Sequence, residues 1–286
     1  MSMIDVLKKT IKKYPHMRAL IRPIWIALRN RIWDIKKVLQ IPVVYSAGLG
    51  RVRLYPNGQI PEMLFKGNFE AVERDFVASF LRSGMNVLNI GANVGLYTIM
   101  AAELIKPSGI VYAFEPSSES FTRLQKNLEL NGCQNVIVNK AALSNVSGQL
   151  LLRVDSKNPT CDGHRYVETP EDANRALSSD ELVESMTLDC YLAEQNYPLI
   201  DLIIMDVEGA EKLVLEGGMK TFARLNSTIL LECSKNQLEV ERILNDLGYR
   251  FWRWNVIEKK LESVDFKDAA LLGDVVARRE AWRFLP

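Results

Sequence analysis

The sequence predicts an α/β fold: a Rossmann-like, mostly parallel sheet with helices on both faces, preceded by a basic helical arm. Three observations carry this prediction. After Glu70, short apolar runs alternate with helix-compatible stretches. The run Val87–Thr98 joins strand to helix through a turn that holds Gly91 and Gly95. The next strand closes on an acid, Glu115, just where a parallel sheet presents its carboxyl ends to a ligand.

Residues 1–45 form the arm. Ile4, Leu7, Ile11, Leu20, Ile21, Ile24, Leu28 and Ile32 recur at three- and four-residue spacing, with Pro15 and Pro23 expected to break the stretch into shorter helices. Residues 41–66 read as a small β element with turns at Gly48–Gly50 and Pro56-Asn57-Gly58. The main domain, taken as 46–286, opens its repeat with a strand at Asn86–Ile90 and a helix from Leu96. A strand at Ile110–Phe114 follows, then a helix at Ser117–Leu130 stopped by Asn131-Gly132, and a strand at Val136–Asn139. Pro116 is expected at the first helical position. Further strands fall at Leu202–Met205, Thr228–Leu231 and Arg250–Asn255. The last puts Trp252 and Trp254 on one face, where packing against the domain is expected. Residues 148–200 interrupt the rhythm as a long polar insertion expected to shape an acceptor pocket.

Composition narrows the function classes. With 48% hydrophobic and 25% charged residues, the chain is neither disordered nor fibrous. Cys133, Cys161, Cys190 and Cys233 form no CxxC pair and no cluster with histidine, so a zinc site is not expected. They read as reduced thiols of a cytoplasmic protein. The N-terminus lacks the pattern of a secretory signal, and no run approaches the ~20 apolar residues of a membrane span. The net charge of +1 hides an asymmetry. Residues 1–40 hold ten Lys/Arg against Asp5 and Asp34, a net +8 that leaves −7 for the remainder. A basic amphipathic arm with Trp25 and Trp33 suits an anionic membrane surface, with nucleic acid a second anionic partner. Packing on its own domain or on a second subunit is the alternative.

The glycine turn by itself serves many nucleotides. Glu115 adds that an acid at this strand end can accept hydrogen bonds from both hydroxyls of a ribose. The spacing is Gly-x-x-x-Gly with Asn93 between, not the G-x-G-x-x-G of dinucleotide folds. It suits a neutral nucleoside with an amino-acid tail better than a diphosphate.

The run Asn89-Ile90-Gly91-Ala92-Asn93-Val94-Gly95, followed by Phe114-Glu115-Pro116, Asn127 with Asn131, and Ala141-Ala142-Leu143-Ser144, resembles the FkbM family of methyltransferases. Met205-Asp206-Val207-Glu208-Gly209-Ala210-Glu211 and Leu230-Leu231-Glu232 extend the resemblance, which spans roughly residues 67–255. It implies a class I methyltransferase fold, S-adenosylmethionine as cofactor, and O-methylation, often of sugars or natural products. It assigns the cofactor to Asn89, Gly91, Ala92, Asn93, Gly95, Tyr97, Thr98, Glu115, Pro116, Ala141 and Ala142. The family usually has Asp where this chain has Asn89, which cannot attract an ammonium by charge. By the same resemblance Phe65-Lys66-Gly67-Asn68-Phe69-Glu70 folds over the methionine end, where Lys66 suits a carboxylate and Glu70 an ammonium.

Asp206, at the end of its strand, is expected to face the transferred methyl group as general base, with Glu208 beside it. Asp206, Glu208 and Glu211 together are a possible oxygen ligand set for a divalent metal. His164, in the insertion, is the second candidate base because its side chain titrates near neutrality. The acceptor expected is a small molecule or glycan: a hydroxyl of a saccharide, glycolipid or secondary metabolite. The alternatives are a nicotinamide-dependent oxidoreductase, against which the missing third glycine counts, and an inactive cofactor-binding adaptor, toward which Asn89 points.

Overall fold

The structure, a computed structural model, describes residues 15–46, 49–56, 59–67, 69–154, 165–168, 180–232, 237–270 and 275–279. The chain enters through helix α1 (Pro15–Val38), then an antiparallel hairpin of β1 (Val43–Ser46) and β2 (Arg51–Leu54). The domain boundary expected at residue 45 thus falls inside β1. Pro23 lies within α1 and does not divide it. Its fixed φ is helical, so the ring removes one backbone donor and crowds one carbonyl without forcing a turn.

Helices α2 (Gln59–Lys66) and α3 (Ala71–Phe80) follow. The first corrects the reading of 41–66 as β throughout. Pro61 sits in its first turn, where a missing N–H is tolerated, so proline here marks a helix start.

The core is an eight-stranded sheet. In chain order its strands are β3 (Val87–Ile90), β4 (Val111–Phe114), β5 (Val136–Asn139), β10 (Leu202–Met205), β11 (Thr228–Leu231), β12 (Tyr249–Asn255), β13 (Lys260–Ser263) and β14 (Val275–Arg279). Across the sheet they lie in the order β13-β12-β14-β11-β10-β3-β4-β5. All pairs from β5 to β11 are parallel, and β14 inserts antiparallel between β11 and β12. Leu88, Ile90, Phe114, Ile203 and Met205 point into one core layer, and Val87, Val111, Leu202, Ile204 and Leu230 into the other. Both faces are covered, which is why these strands read as unbroken apolar runs. The chain steps outward one way through β4 and β5 and the other way through β10 and β11. The switch point of the sheet therefore lies between β3 and β10.

Helix α4 (Leu96–Leu104) follows β3, and α5 (Ser118–Asn131) follows β4. Ser117 caps α5, accepting from Ser120 N, so Pro116 stands one residue before the cap and not at the first helical position. The insertion adds β7 (Gly148–Val154), β8 (Arg165–Glu168) and β9 (Glu181–Met186), which with β6 (Ala142–Leu143) just before it make a second sheet in the order β6-β9-β7-β8. Helices α6 (Leu188–Glu194), α7 (Glu211–Gly217), α8 (Met219–Arg224), α9 (Gln237–Asp246) and α10 (Phe266–Ala270) complete the chain.

Trp252 and Trp254 both pack against the domain, as expected of them, Trp254 directly on α3. The Trp254 ring meets Phe76 edge-on at 5.6 Å, and its Nε1 donates to Asp75 Oδ2 at 2.7 Å. The arm also packs on its own domain by one face. Trp33 is 1% exposed and its ring lies 5.1 Å from that of Phe65 on α2. Among the described residues no helix is long and apolar enough to cross a membrane.

Candidate active site

Two cavities open at the switch point and share Gly91, Asn93 and Asp206. The first, about 660 Å³ including its mouth, is lined by Phe114, Glu115, Pro116, Ala141, Ala142 and Glu208 among others. The second, about 380 Å³, is lined by Leu64, Phe69, Glu70, Ala92 and Tyr97. Together they form one elongated cleft bent around the glycine turn.

Gly91 makes the bend possible. Its φ is +84°, and a Cβ there would lie 1.8 Å from the Asp206 carbonyl oxygen. The close approach is fastened by Asp206 N donating to Ile90 O at 3.0 Å, while Gly91 N and Ala92 N both donate to Phe114 O. The turn thus ties the ends of β3, β4 and β10 together. Asn93, at φ +48°, aims its backbone N–H at Glu115 Oε2, 2.8 Å away. Ser117 N donates to the other oxygen at 2.9 Å. A buried carboxylate held by two backbone donors keeps one orientation.

Not every residue assigned from the sequence lines the cleft. Asn89 is 2% exposed and donates from its side-chain amide to Thr98 Oγ1 at 2.8 Å. Both sit beneath the turn and line neither cavity. Gly95, at φ +94°, serves packing: a Cβ there would meet Leu124 Cδ1 at 2.5 Å. The Lys66 ammonium pairs with Glu62 on its own helix and lines neither cavity. His164 lies outside the described residues.

The acids regroup relative to the expectation. Glu208 and Gly209 both take positive φ, which turns the chain back on itself. As a result Glu211 Oε1 accepts from Gly209 N at 2.9 Å, and Glu211 is buried as the first residue of α7. Burial first, then the charges of Glu208 and Glu232, push its carboxyl up to about 7. Glu208 lines the first cavity only. The group that does meet is Glu70, Asp206 and Glu232, with one oxygen of each within 4.8 Å of the others. The trio Asp206, Glu208 and Glu211 expected for a metal is therefore not the trio that converges, and we assign no metal to these oxygens.

The Glu70 carboxyl is raised to about 7, first by burial and then by the charges of Glu232 and Glu73, against the Tyr97 hydroxyl that donates to it at 2.6 Å. Sequence reasoning did not anticipate that Tyr97 acts through Glu70, nor that Leu64 walls the second cavity. Its one usable signal was the 65–70 segment. Leu152 of β7 also reaches the first cavity, so the described part of the insertion walls the Glu115 end.

The fold is a Rossmann-like α/β sheet with a cleft at its switch point. The chain matches the Methyltransferase FkbM domain over residues 89–251, more than half its length, and belongs to that family. It is 28% identical over 203 residues to Methyltransferase sdnD of Sordaria araneosa, covering 60% of this chain and 76% of that protein. It is 26% identical over 146 residues to Methyltransferase 1 of Beauveria bassiana (strain ARSEF 2860), covering 46% of this chain and 57% of that protein. The match thus spans little more than half of that relative. Among solved structures, a Methyltransferase FkbM from Methylobacillus flagellatus KT is similar at 15% identity and a TM-score of 0.46, over 77% of this chain and 52% of that one.

Proposed function

We propose that the protein is an S-adenosylmethionine-dependent methyltransferase that methylates a hydroxyl group of a saccharide, glycolipid or secondary metabolite. The observation that carries this reading is the Glu115 carboxylate, fixed by Asn93 N and Ser117 N beside a glycine that no other residue could replace. When bound, the cofactor supplies an electrophilic methyl group on a sulfonium. Glu115 would hold the ribose hydroxyls, and Pro116, Ala141 and Ala142 would flank the base. Glu70 of the second cavity, with the Glu232 carboxylate close by, would supply the negative charge that Asn89 does not and suit the amino-acid ammonium.

Asp206 lines both cavities, and its carboxylate lies within 4.8 Å of those of Glu70 and Glu232. There it would orient an acceptor hydroxyl and take its proton as the new bond forms. The family match is to methyltransferases, which argues against the nicotinamide alternative.

Calorimetric titration with S-adenosylhomocysteine tests the cofactor reading. Wild-type protein should bind, and Glu115→Ala should weaken binding by about 1–3 kcal/mol, with Glu115→Gln intermediate. Equal affinity in all three would remove the ribose from Glu115. Incubation with S-adenosylmethionine and hydroxylated acceptors, read by mass spectrometry, tests transfer. No methylated product from any saccharide, glycolipid or metabolite class would leave an inactive cofactor-binding module as the reading.

A further inference from the structure

Helix α1 buries one face and exposes another that the domain does not use. The buried face is Trp33 against Phe65. The opposite stripe is Ile24, Leu28, Ile32, Ile35 and Leu39, at the i, i+4, i+8, i+11, i+15 spacing of one helix face. These side chains are 69%, 51%, 38%, 58% and 59% exposed. Trp25 and Val38, also exposed, flank them. Such a stripe normally faces a core. Here it faces outward over four turns.

The charge around it is mostly of one sign. Between Arg22 and Ile41 there are five basic residues and a single acid, Asp34. Arg22, Arg31 and Lys37 are exposed and Lys36 is partly so. Paired helices usually set opposite charges beside an apolar seam, and like charges there repel. An anionic surface instead attracts every one of these cations. Trp25, on the border of the stripe, is the residue type that settles at a bilayer interface.

We propose that this exposed face of α1 docks on an anionic lipid bilayer, with the apolar stripe in the headgroup boundary and Arg31 and Lys36 on lipid phosphates. The helix would lie in the surface plane, since it does not span. Helix α2 carries Phe65 onto Trp33 and Leu64 into the second cavity, so only one helix separates the bilayer face from the cleft. The proposal does not rest on the methyl-transfer reading, because docking is measured without turnover.

Co-sedimentation of the full chain with phosphatidylglycerol vesicles and with phosphatidylcholine vesicles, at low and at high salt, tests it. The expected result is pelleting with the anionic vesicles, lost with the neutral ones and weakened by salt. A triple variant, Ile24→Glu, Leu28→Glu and Ile35→Glu, should stay in the supernatant while keeping the wild-type Tm, since these side chains are exposed. If that variant does not fold, Arg31→Glu with Lys36→Glu should lose pelleting at low salt. Wild-type protein that ignores anionic vesicles at low salt would overturn the proposal, and so would a folded triple variant that pellets normally. Light scattering that finds a wild-type dimer split by the triple variant, with no vesicle binding by either, would instead make the stripe a seam between two copies.

Discussion

At the scale of single residues, the site depends on where protons and carboxylates are held. Asp206 lines both cavities and its backbone is fixed to β3. Asp206→Asn keeps the shape and removes the base, so turnover should fall by about 10²–10⁴-fold while S-adenosylhomocysteine affinity stays near wild type. Wild-type turnover in that variant would take proton removal away from Asp206. Glu70 yields a prediction of opposite character. Its carboxyl is raised to about 7 from an ordinary 4.5. Below pH 4.5 the group is neutral in both folded and unfolded chains. Between about 4.5 and 7 the unfolded chain ionises while the folded one resists, so the protein loses stability as pH rises through this window. Glu70→Gln should therefore raise Tm at pH 8, by the equivalent of about 1–3 kcal/mol, and leave it nearly unchanged at pH 4. A pH-independent difference between the two proteins would show that the Glu70 carboxyl titrates alike in the folded and unfolded chains.

At the scale of elements, side-chain amides join what the backbone leaves apart. Asn127 of α5 is fully buried; its Oδ1 accepts from Arg53 N and its Nδ2 donates to Val94 O, both at 2.8 Å. Asn127→Ala would strand both backbone groups, so stability should fall by about 2–3 kcal/mol, read as a shift in the urea midpoint. A neutral substitution would mean that water replaces both bonds. This junction also marks the limit of sequence reading. Asn127 and Asn131 were legible as part of a family pattern, but not as the stitch between α5 and a hairpin some 75–80 positions earlier. The parallel strands were legible because burial on both faces leaves unbroken apolar runs. Helix α2 was not, because Pro56, Asn57, Gly58 and Pro61 carry turn chemistry that also starts helices. The unbroken α1 was not legible either, since proline's cost to a helix does not dictate a break.

At the scale of the whole molecule, the switch point concentrates the site on the ends of β3, β4 and β10, which is why Gly91, Glu115 and Asp206 were identifiable from strand ends alone. The residues that only the fold brings together, such as Leu152 and the Glu70–Tyr97 pair, carry no local pattern. A ligand bridging those strand ends should stabilise the entire domain. S-adenosylhomocysteine at a hundred times its Kd is expected to add about 2.7 kcal/mol and raise Tm accordingly. Thermal shift assays should show that rise in wild-type protein and a smaller one in Glu115→Ala; no shift in either would mean the cleft does not take this ligand. The hairpin of β1 and β2 has a different relation to the whole. Asn131 presents both an acceptor and a donor to the Arg51 backbone, at 2.8 and 2.7 Å, and Asn127 takes the Arg53 amide. A lone pair of strands frays in water. These two amide hydrogens, however, are held by a helix of the core, so in deuterated solvent they should exchange at the pace at which α5 opens and not at the pace of the hairpin.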